Sequence, residues 1–298
     1  MRHFRPYHFA QYRMAGFRSF YEKIVSAGGV LCFDFEDSIM ADAPDVAATT
    51  HLKRTQRRHV RHLLRHTPGL DFEQLAVRIN APGTPHYAAD LDALRGLPTL
   101  HAVFIPKTED PATIRQVLHD LPLPVRHIIP VVETAAAFSR LPELFAPNDP
   151  RLDLVAFGHC DFNLSCGHFP FYHQDAREYW GWLAELDAQL QQAGKQLLNS
   201  PVLRLADTAY FEAVLLRLAA LPSAVGQITL CLAQTRACAA GVPAPAAPTA
   251  LAAPVPDQPD LLAEDYEQGR QPNRNFVLDA ERRLITPHEY EAARRQLQ

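Results

Sequence analysis

The chain has only five cysteines, Cys32, Cys160, Cys166, Cys231 and Cys238, and no two of them form a CxxC pair. They give no even disulfide framework, so reduced thiols are the expectation. No segment approaches 18 consecutive apolar residues, which leaves nothing to read as a membrane span. The first residues, Met1 to Pro6, lack an apolar core of the kind a signal peptide needs, and the expected location is cytoplasmic. A net charge of −4 gives no general electrostatic attraction to nucleic acid. Neither nucleic acid nor membrane is therefore expected as a partner. With 298 residues and 47% hydrophobic content, the chain is long enough for one large α/β core.

What the sequence does have is a series of short apolar runs, each ending abruptly in polar or charged residues. Val30 to Phe33 runs into Asp34-Phe-Glu-Asp-Ser38, and Leu75 to Val77 into Arg78-Ile-Asn80. Val103 to Ile105 meets Pro106-Lys107, Ile128 to Val132 meets Glu133-Thr134, and Leu154 to Phe157 meets Gly158-His-Cys-Asp161. A continuous apolar run suits a parallel strand covered on both faces. A charge at its carboxyl end falls where α/β barrels build their active sites.

Between these runs lie helix-like stretches: Arg18 to Ala27, Pro44 to His66, Tyr87 to Arg95, Asp110 to His119, Thr134 to Phe145, Asp175 to Gln192 and Asp207 to Ala220. Asp110-Pro111 is an N-cap followed by proline at the first helical position. Further strands are expected at Gln196–Leu198, at Gln227–Leu230 and within residues 7–12. The total is eight, the number of a (β/α)8 TIM barrel. Residues 239–275 are rich in alanine and proline and read as a linker or lid insertion, which bounds a barrel domain at 1–238 and a tail at 276–298. In that tail Thr286-Pro287 opens a helix. His59, His62 and His66 share a face of the Pro44–His66 helix with several arginines, which reads as a solvated basic face or as a contact for a phosphate-bearing ligand or a second subunit.

The five strand-end motifs, in this order and spacing, resemble the HpcH/HpaI aldolase and citrate lyase β-subunit superfamily. The Asp34-Phe-Glu-Asp-Ser38 motif makes the citrate-lyase-β branch the nearer one. The resemblance spans about residues 17–235 and, more weakly, 276–295. It implies that Glu133 and Asp161 bind Mg2+, with Mn2+ as an alternative. It implies that Arg78 contacts the substrate carboxylate and the enolate oxygen, and that Glu36 and Asp37 lie behind the ligands. Lys107 joins the catalytic group as an electrostatic partner rather than a nucleophile, and Gly158 and His159 are expected at the substrate. A homo-oligomer, trimer or hexamer, is also implied.

The residue chemistry agrees with this. Breaking or forming a carbon–carbon bond beside a carbonyl develops an enolate, which needs positive charge near its oxygen. Two carboxylates can hold Mg2+ and leave positions for water and substrate oxygens. The metal polarises the carbonyl, while a guanidinium grips a carboxylate through two parallel hydrogen bonds. Each residue also has a plainer reading. Glu133 and Asp161 could cap the helices that follow them, Glu36-Asp37 could be a turn, and Lys107 a structural ion pair. His159, Cys160, Cys166 and His168 fit no common zinc spacing.

Three departures bear on the substrate. Arg5 to Tyr12 lacks the branch's usual first-strand motif, Cys231-Leu-Ala-Gln234 replaces its stretch near the eighth strand, and Thr286 stands where relatives have a tail aspartate. These elements shape the thioester pocket in relatives. The expected function is Mg2+-dependent carbon–carbon lyase or aldolase chemistry on a small oxo- or hydroxy-acid, as the free acid or an acyl (coenzyme A) thioester. The alternatives are a non-catalytic binding or regulatory relative and a phosphoenolpyruvate- or pyruvate-handling transferase on a similar barrel.

Overall fold

A computed structural model describes residues 1–10, 16–39, 45–243, 258–271 and 275–298. Eight parallel strands close into a barrel in chain order: β1 (Arg5–Ala10), β2 (Val30–Asp34), β3 (Leu75–Arg78), β4 (Leu100–Ile105), β5 (Val125–Val132), β6 (Leu154–Phe157), β7 (Gln196–Asn199) and β8 (Ala224–Thr229). Closure is made by β8 pairing with β1, Tyr7 opposite Ile228. The (β/α)8 expectation holds, including its first and seventh strands; Gln11 and Tyr12 lie outside the described residues.

Side chains along a strand alternate in direction with period two, and the barrel interior follows that rule. Val30 and Cys32, Ala102 and Phe104, Ile129 and Val131, and Leu154 and Ala156 form one apolar cluster with Tyr7, Ala76, Leu198 and Ile228. One more step of two along β2, β3, β5 and the chain after β7 reaches Asp34, Arg78, Glu133 and Ser200. The interior is thus filled with apolar side chains below and carries a polar layer at the carboxyl ends of the strands.

The flanking helices bury their apolar stripes against the outside of the barrel. They are α1 (Phe17–Ser26), α2 (Val46–His66), α3 (Tyr87–Leu94), α4 (Pro111–Asp120), α5 (Ala135–Phe138), α6 (Leu141–Phe145), α7 (His159–Cys166), α8 (Arg177–Gln192), α9 (Thr208–Leu218) and α10 (Leu232–Ala240). The stretch expected as a single helix over Thr134–Phe145 is two short ones, because Arg140 leaves helical geometry (φ −126°, ψ 24°) ahead of Pro142. Asp45 caps α2 by accepting from the amides of Ala47 and Ala48, and Pro44 lies outside the described residues. The basic face of α2 is only partly solvated. Arg57 is buried against Asp90, Arg61 reaches Asp92, and Arg65 donates to the carbonyl of Arg95, so these arginines fasten α3 to α2.

Within residues 239–275, read as a linker, lies a helix, α11 (Pro259–Gly269). Proline sits in its first turn, and Leu262, Ala263 and Tyr266 form a buried stripe at helical spacing. It packs on the tail helix α12 (Pro287–Gln296), with Tyr266 stacked on Tyr290 at 4.5 Å between ring centroids. A two-stranded antiparallel hairpin, β9 (Val277–Leu278) and β10 (Leu284–Ile285), precedes α12. Thr286 forms a capping box with Glu289, as Thr286-Pro287 foretold. Among the described residues, no helix is long and apolar enough to cross a membrane.

Candidate active site

The strand ends, the loops behind them and the C-terminal tail enclose a cavity of about 570 Å³ at the mouth of the barrel. Asp34, Asp37, Arg78, Glu133, Gly158, His159 and Asp161 all line it, and so does His288 of the tail. Arg78 is held by a bidentate pair with Asp34, Nε at 2.7 Å and Nη2 at 2.6 Å. Its Nη1 lies 2.9 Å from Glu36 Oε2 and 3.9 Å from Asp37 Oδ2. The bidentate pair engages two of the five guanidinium hydrogens, and the contacts of Nη1 with Glu36 and Asp37 are electrostatic, which leaves N–H groups for a ligand. Burial favours neutral Asp34, but the charge and hydrogen bonds of Arg78 outweigh it and bring the carboxyl below its ordinary value.

Asp34 was not among the residues singled out from the sequence. Its signal was the period-two phase of Val30 and Cys32, which aims Asp34, rather than its neighbour Phe35, into the mouth. Glu36 and Asp37 follow in a turn whose backbone is fixed by Asp34, since Glu36 N and Ser38 N both donate to the Asp34 carboxylate. Burial first, and then the charge of Asp37, push Glu36 up to about 8 despite Arg78 and Lys107 nearby.

Lys107 extends its ammonium to Glu36 Oε1 at 3.1 Å, Asp37 Oδ1 at 3.5 Å and Asp161 Oδ1 at 3.8 Å. Burial opposes its charge, yet Asp37 and Glu36 more than compensate and raise its pKa. Its backbone is in the left-handed region, φ 49°, where a non-glycine residue is uncommon. Its amide there donates to Glu133 Oε1 at 2.6 Å. Lys107 is therefore an electrostatic partner of the acidic cluster from both its ends.

Glu133 is buried beside Gly158. A Cβ at position 158 would lie 2.5 Å from Glu133 Oε2, so only glycine admits this approach. Burial and the charge of Asp161 raise the Glu133 pKa well above its ordinary value. Of the two residues expected to share a metal, Asp161 belongs to a tight group of three that does not include Glu133, whose pKa nonetheless feels the Asp161 charge. The side chains whose ligand atoms lie within 4.8 Å of one another, among the described residues, are Asp37, Asp161 and His288. His288 Nε2 is 3.2 Å from Asp161 Oδ1 and 3.8 Å from Asp37 Oδ2. Burial works against a charged His288, but Asp161 and Asp37 prevail and raise it to about 9.

The donor set fits a divalent cation. Five carboxylates, Asp34, Glu36, Asp37, Glu133 and Asp161, gather with Arg78, Lys107 and His288, and the burial and mutual repulsion that raise Glu36 and Glu133 are what a divalent cation would relieve. Asp37 Oδ2 is buried without a hydrogen-bond partner. Oxygen-rich sites of this kind suit Mg2+ or Mn2+. Asp161 and Asp37, with Glu133 close by, are the residues that could hold it. His159, Cys160, Cys166 and His168 do not come together as a metal group among the described residues.

His159 is expected at the substrate, but its ring is fully buried and both of its nitrogens are engaged. Nδ1 meets Ser200 Oγ at 2.5 Å, and Nε2 meets His173 Nδ1 at 3.0 Å. His173 Nε2 in turn lies 3.1 Å from Glu289 Oε1. This chain ties the wall of the mouth, which His159 also lines, to helix α12. His288 and Glu289 gave no signal in the sequence beyond the start of a capped helix. Only the return of the tail over the barrel brings them to the site, where Asn275 Nδ2 also donates to the Asp37 carbonyl at 2.9 Å.

Residues 30–178, half the chain, match the family described as HpcH/HpaI aldolase/citrate lyase. A citrate lyase subunit beta-like protein of Mycobacterium tuberculosis is 35% identical over 135 residues, 45% of this chain and 41% of the relative. The match thus spans less than half the length of that curated relative. Among solved structures, the citrate lyase beta subunit of M. tuberculosis complexed with oxaloacetate and magnesium superposes with a TM-score of 0.61 at 23% identity, covering 80% of this chain and 96% of that one. A CitE protein from the same organism, with magnesium, acetoacetate and coenzyme A, gives 0.60 at 20% identity over 99% of this chain and 97% of that one. RipC from Yersinia pestis gives 0.58 at 19% identity, covering 79% of this chain and 93% of that one. Together with the motifs gathered at one mouth, the match to residues 30–178 shows that the chain belongs to the HpcH/HpaI aldolase/citrate lyase family.

Proposed function

We propose that this protein is a metal-dependent carbon–carbon lyase or aldolase acting on a small oxo- or hydroxy-acid. The observation that carries the reading is the pairing of opposites at one mouth: a guanidinium locked by Asp34 and Glu36 beside the carboxylates of Asp37 and Asp161. A bound Mg2+ or Mn2+ would supply Lewis-acid polarisation of the substrate carbonyl. Arg78 offers its remaining N–H groups to the substrate carboxylate and to the oxygen on which negative charge grows. Lys107 offsets the acids and keeps Asp37 and Asp161 in place. The apolar barrel interior beneath and the tail above exclude water and raise the value of these fixed charges. The related M. tuberculosis structure with oxaloacetate and magnesium supports this choice of ligand class.

The departures from the branch's pattern support use of the free acid rather than the thioester. Cys231 and Leu232 line the cavity, and Thr286 is committed to capping α12. These favour the free acid. A panel of free oxo- and hydroxy-acids and their coenzyme A esters, assayed with Mg2+ and with Mn2+, tests the reading. Metal-dependent turnover of free acids is expected, and cleavage of thioesters alone would overturn the free-acid choice.

A second reading, a non-catalytic binding relative, is favoured by one observation: Lys107 and His288 already pair with Asp37 and Asp161. Turnover of any acid in the panel would dismiss it.

A further inference from the structure

The cavity at the barrel mouth has two unlike sides. The acids, Arg78 and His288 occupy one of them. The other is built from α1, the segment after β7, the segment after β8 and the tail hairpin, through Phe20, Leu205, Leu232, Phe276, Leu278 and Leu284. None of these six is fully buried, and Leu278 is 48% exposed. They are apolar side chains held at the edge of a cavity, of which Phe20 and Leu232 also pack against the core behind it. Among the described residues, the lining contains one arginine and no lysine. A second carboxylate on the far end of a ligand would therefore meet leucine and phenylalanine and lose its hydration without compensation. The cavity, about 570 Å³, is within the range that encloses a drug-sized ligand. A three-carbon acid gripped at the charged side would leave the apolar side untouched.

Resting on the function proposed above, we infer that the substrate is a monocarboxylic 2-oxo- or 2-hydroxy-acid with an apolar substituent of several carbons. Its carboxylate lies at Arg78, and its hydrocarbon end lies against the wall of Leu205, Leu232 and the tail hairpin. The wall sets specificity by burying methylenes. Because β9 and β10 provide two of the six wall residues and Phe276, just before β9, a third, the tail takes part in substrate choice as well as in covering the mouth.

Calorimetric titration of the full chain in Mn2+ with pyruvate, 2-oxobutanoate, 2-oxopentanoate, 2-oxohexanoate and oxaloacetate tests this. Each added methylene should tighten binding about fourfold, on the order of fiftyfold from pyruvate to 2-oxohexanoate, with oxaloacetate weaker than 2-oxopentanoate. In Leu205→Asp, a loop substitution, the dependence on chain length should collapse, read as the ratio of the two end affinities. The wild-type series decides the matter even if that variant fails to fold. A flat or falling dependence on length, or oxaloacetate binding most tightly, would overturn this inference and leave the proposed function standing. Failure of every acid to bind in the presence of metal would overturn both.

Discussion

The position of Arg78 is fixed by its partners. Nε and Nη2 face the two oxygens of Asp34 while Nη1 faces Glu36, an arrangement that needs a planar fork. A lysine has one point of charge and cannot bridge both acids while presenting N–H groups to a ligand. Arg78→Lys should therefore lower transition-state stabilisation by about 2–4 kcal/mol, seen as a 30- to 1000-fold fall in kcat/KM. A variant within threefold of wild type would remove Arg78 from the account. At this scale the sequence was informative where a residue lies at a strand end and silent where the chain returns from far away. Arg78 and Glu133 were legible because an apolar run stops at each, and Asp161 because it closes the short polar motif that follows the run ending at Phe157. Asp34 was legible in principle from its phase with Val30 and Cys32. His288, 127 positions beyond Asp161 and 3.2 Å from it, was not legible, because no local pattern encodes a contact over that distance.

At the scale of elements, the buried strands announced themselves by continuous apolar runs, and capped helices by Asp-Pro and Thr-Pro. Composition misled at α11, where alanine and proline around the helix concealed the stripe of Leu262, Ala263 and Tyr266. The tail holds to the barrel through few but buried polar links. Glu289 is 1% exposed, accepts from Arg283 and pairs with His173. Burial opposes its charge, but His173 and Arg283 overcome this and depress its pKa well below the usual value of 4.5. Its folded value being the lower one, its contribution is complete above pH 4.5 and declines as pH falls below it. Glu289→Gln removes the carboxylate that Arg283 and His173 share and should loosen α12 by about 3–5 kcal/mol. Limited proteolysis at pH 7.5 should then cut the tail while the barrel remains intact. Equal protease resistance in the variant and wild type would show that the tail is held instead by other contacts, such as the apolar cluster it forms with Phe169.

For the whole molecule, closure of the barrel buries three imidazoles in uncharged form. Desolvation lowers His8 to about 4, lowers His101 to about 3, and holds His159 well below its usual value. The unfolded chain takes up protons on these groups near pH 6.5 while the folded one does not, so stability is full above that pH and falls with acidification. The loss should run from about pH 6.5 down to 4, on the order of 3 kcal/mol for His8 alone. Urea unfolding at pH 7.5 and 5.0 should show it, with a smaller difference in His8→Asn, whose amide can still reach Thr235, the partner of His8 at 2.9 Å. An unchanged difference in that variant would exonerate His8. Fold class was legible because eight buried strands repeat one pattern. The division of the mouth into a charged and an apolar side was not, since it depends on which loops and which tail residues meet there.

The claim on which the rest depends is that the acids at the mouth hold a divalent cation which, with Arg78, binds an oxo-acid. Calorimetric titration of oxalate, a rigid mimic of an enolate carboxylate, tests it most directly in wild type, Glu133→Gln and Asp161→Asn. Wild type should bind oxalate only when Mg2+ or Mn2+ is present, and each substitution should weaken the direct binding of metal at least tenfold while the thermal unfolding transition remains cooperative. Oxalate binding that ignores the metal, or metal binding unchanged in both variants, would contradict the account.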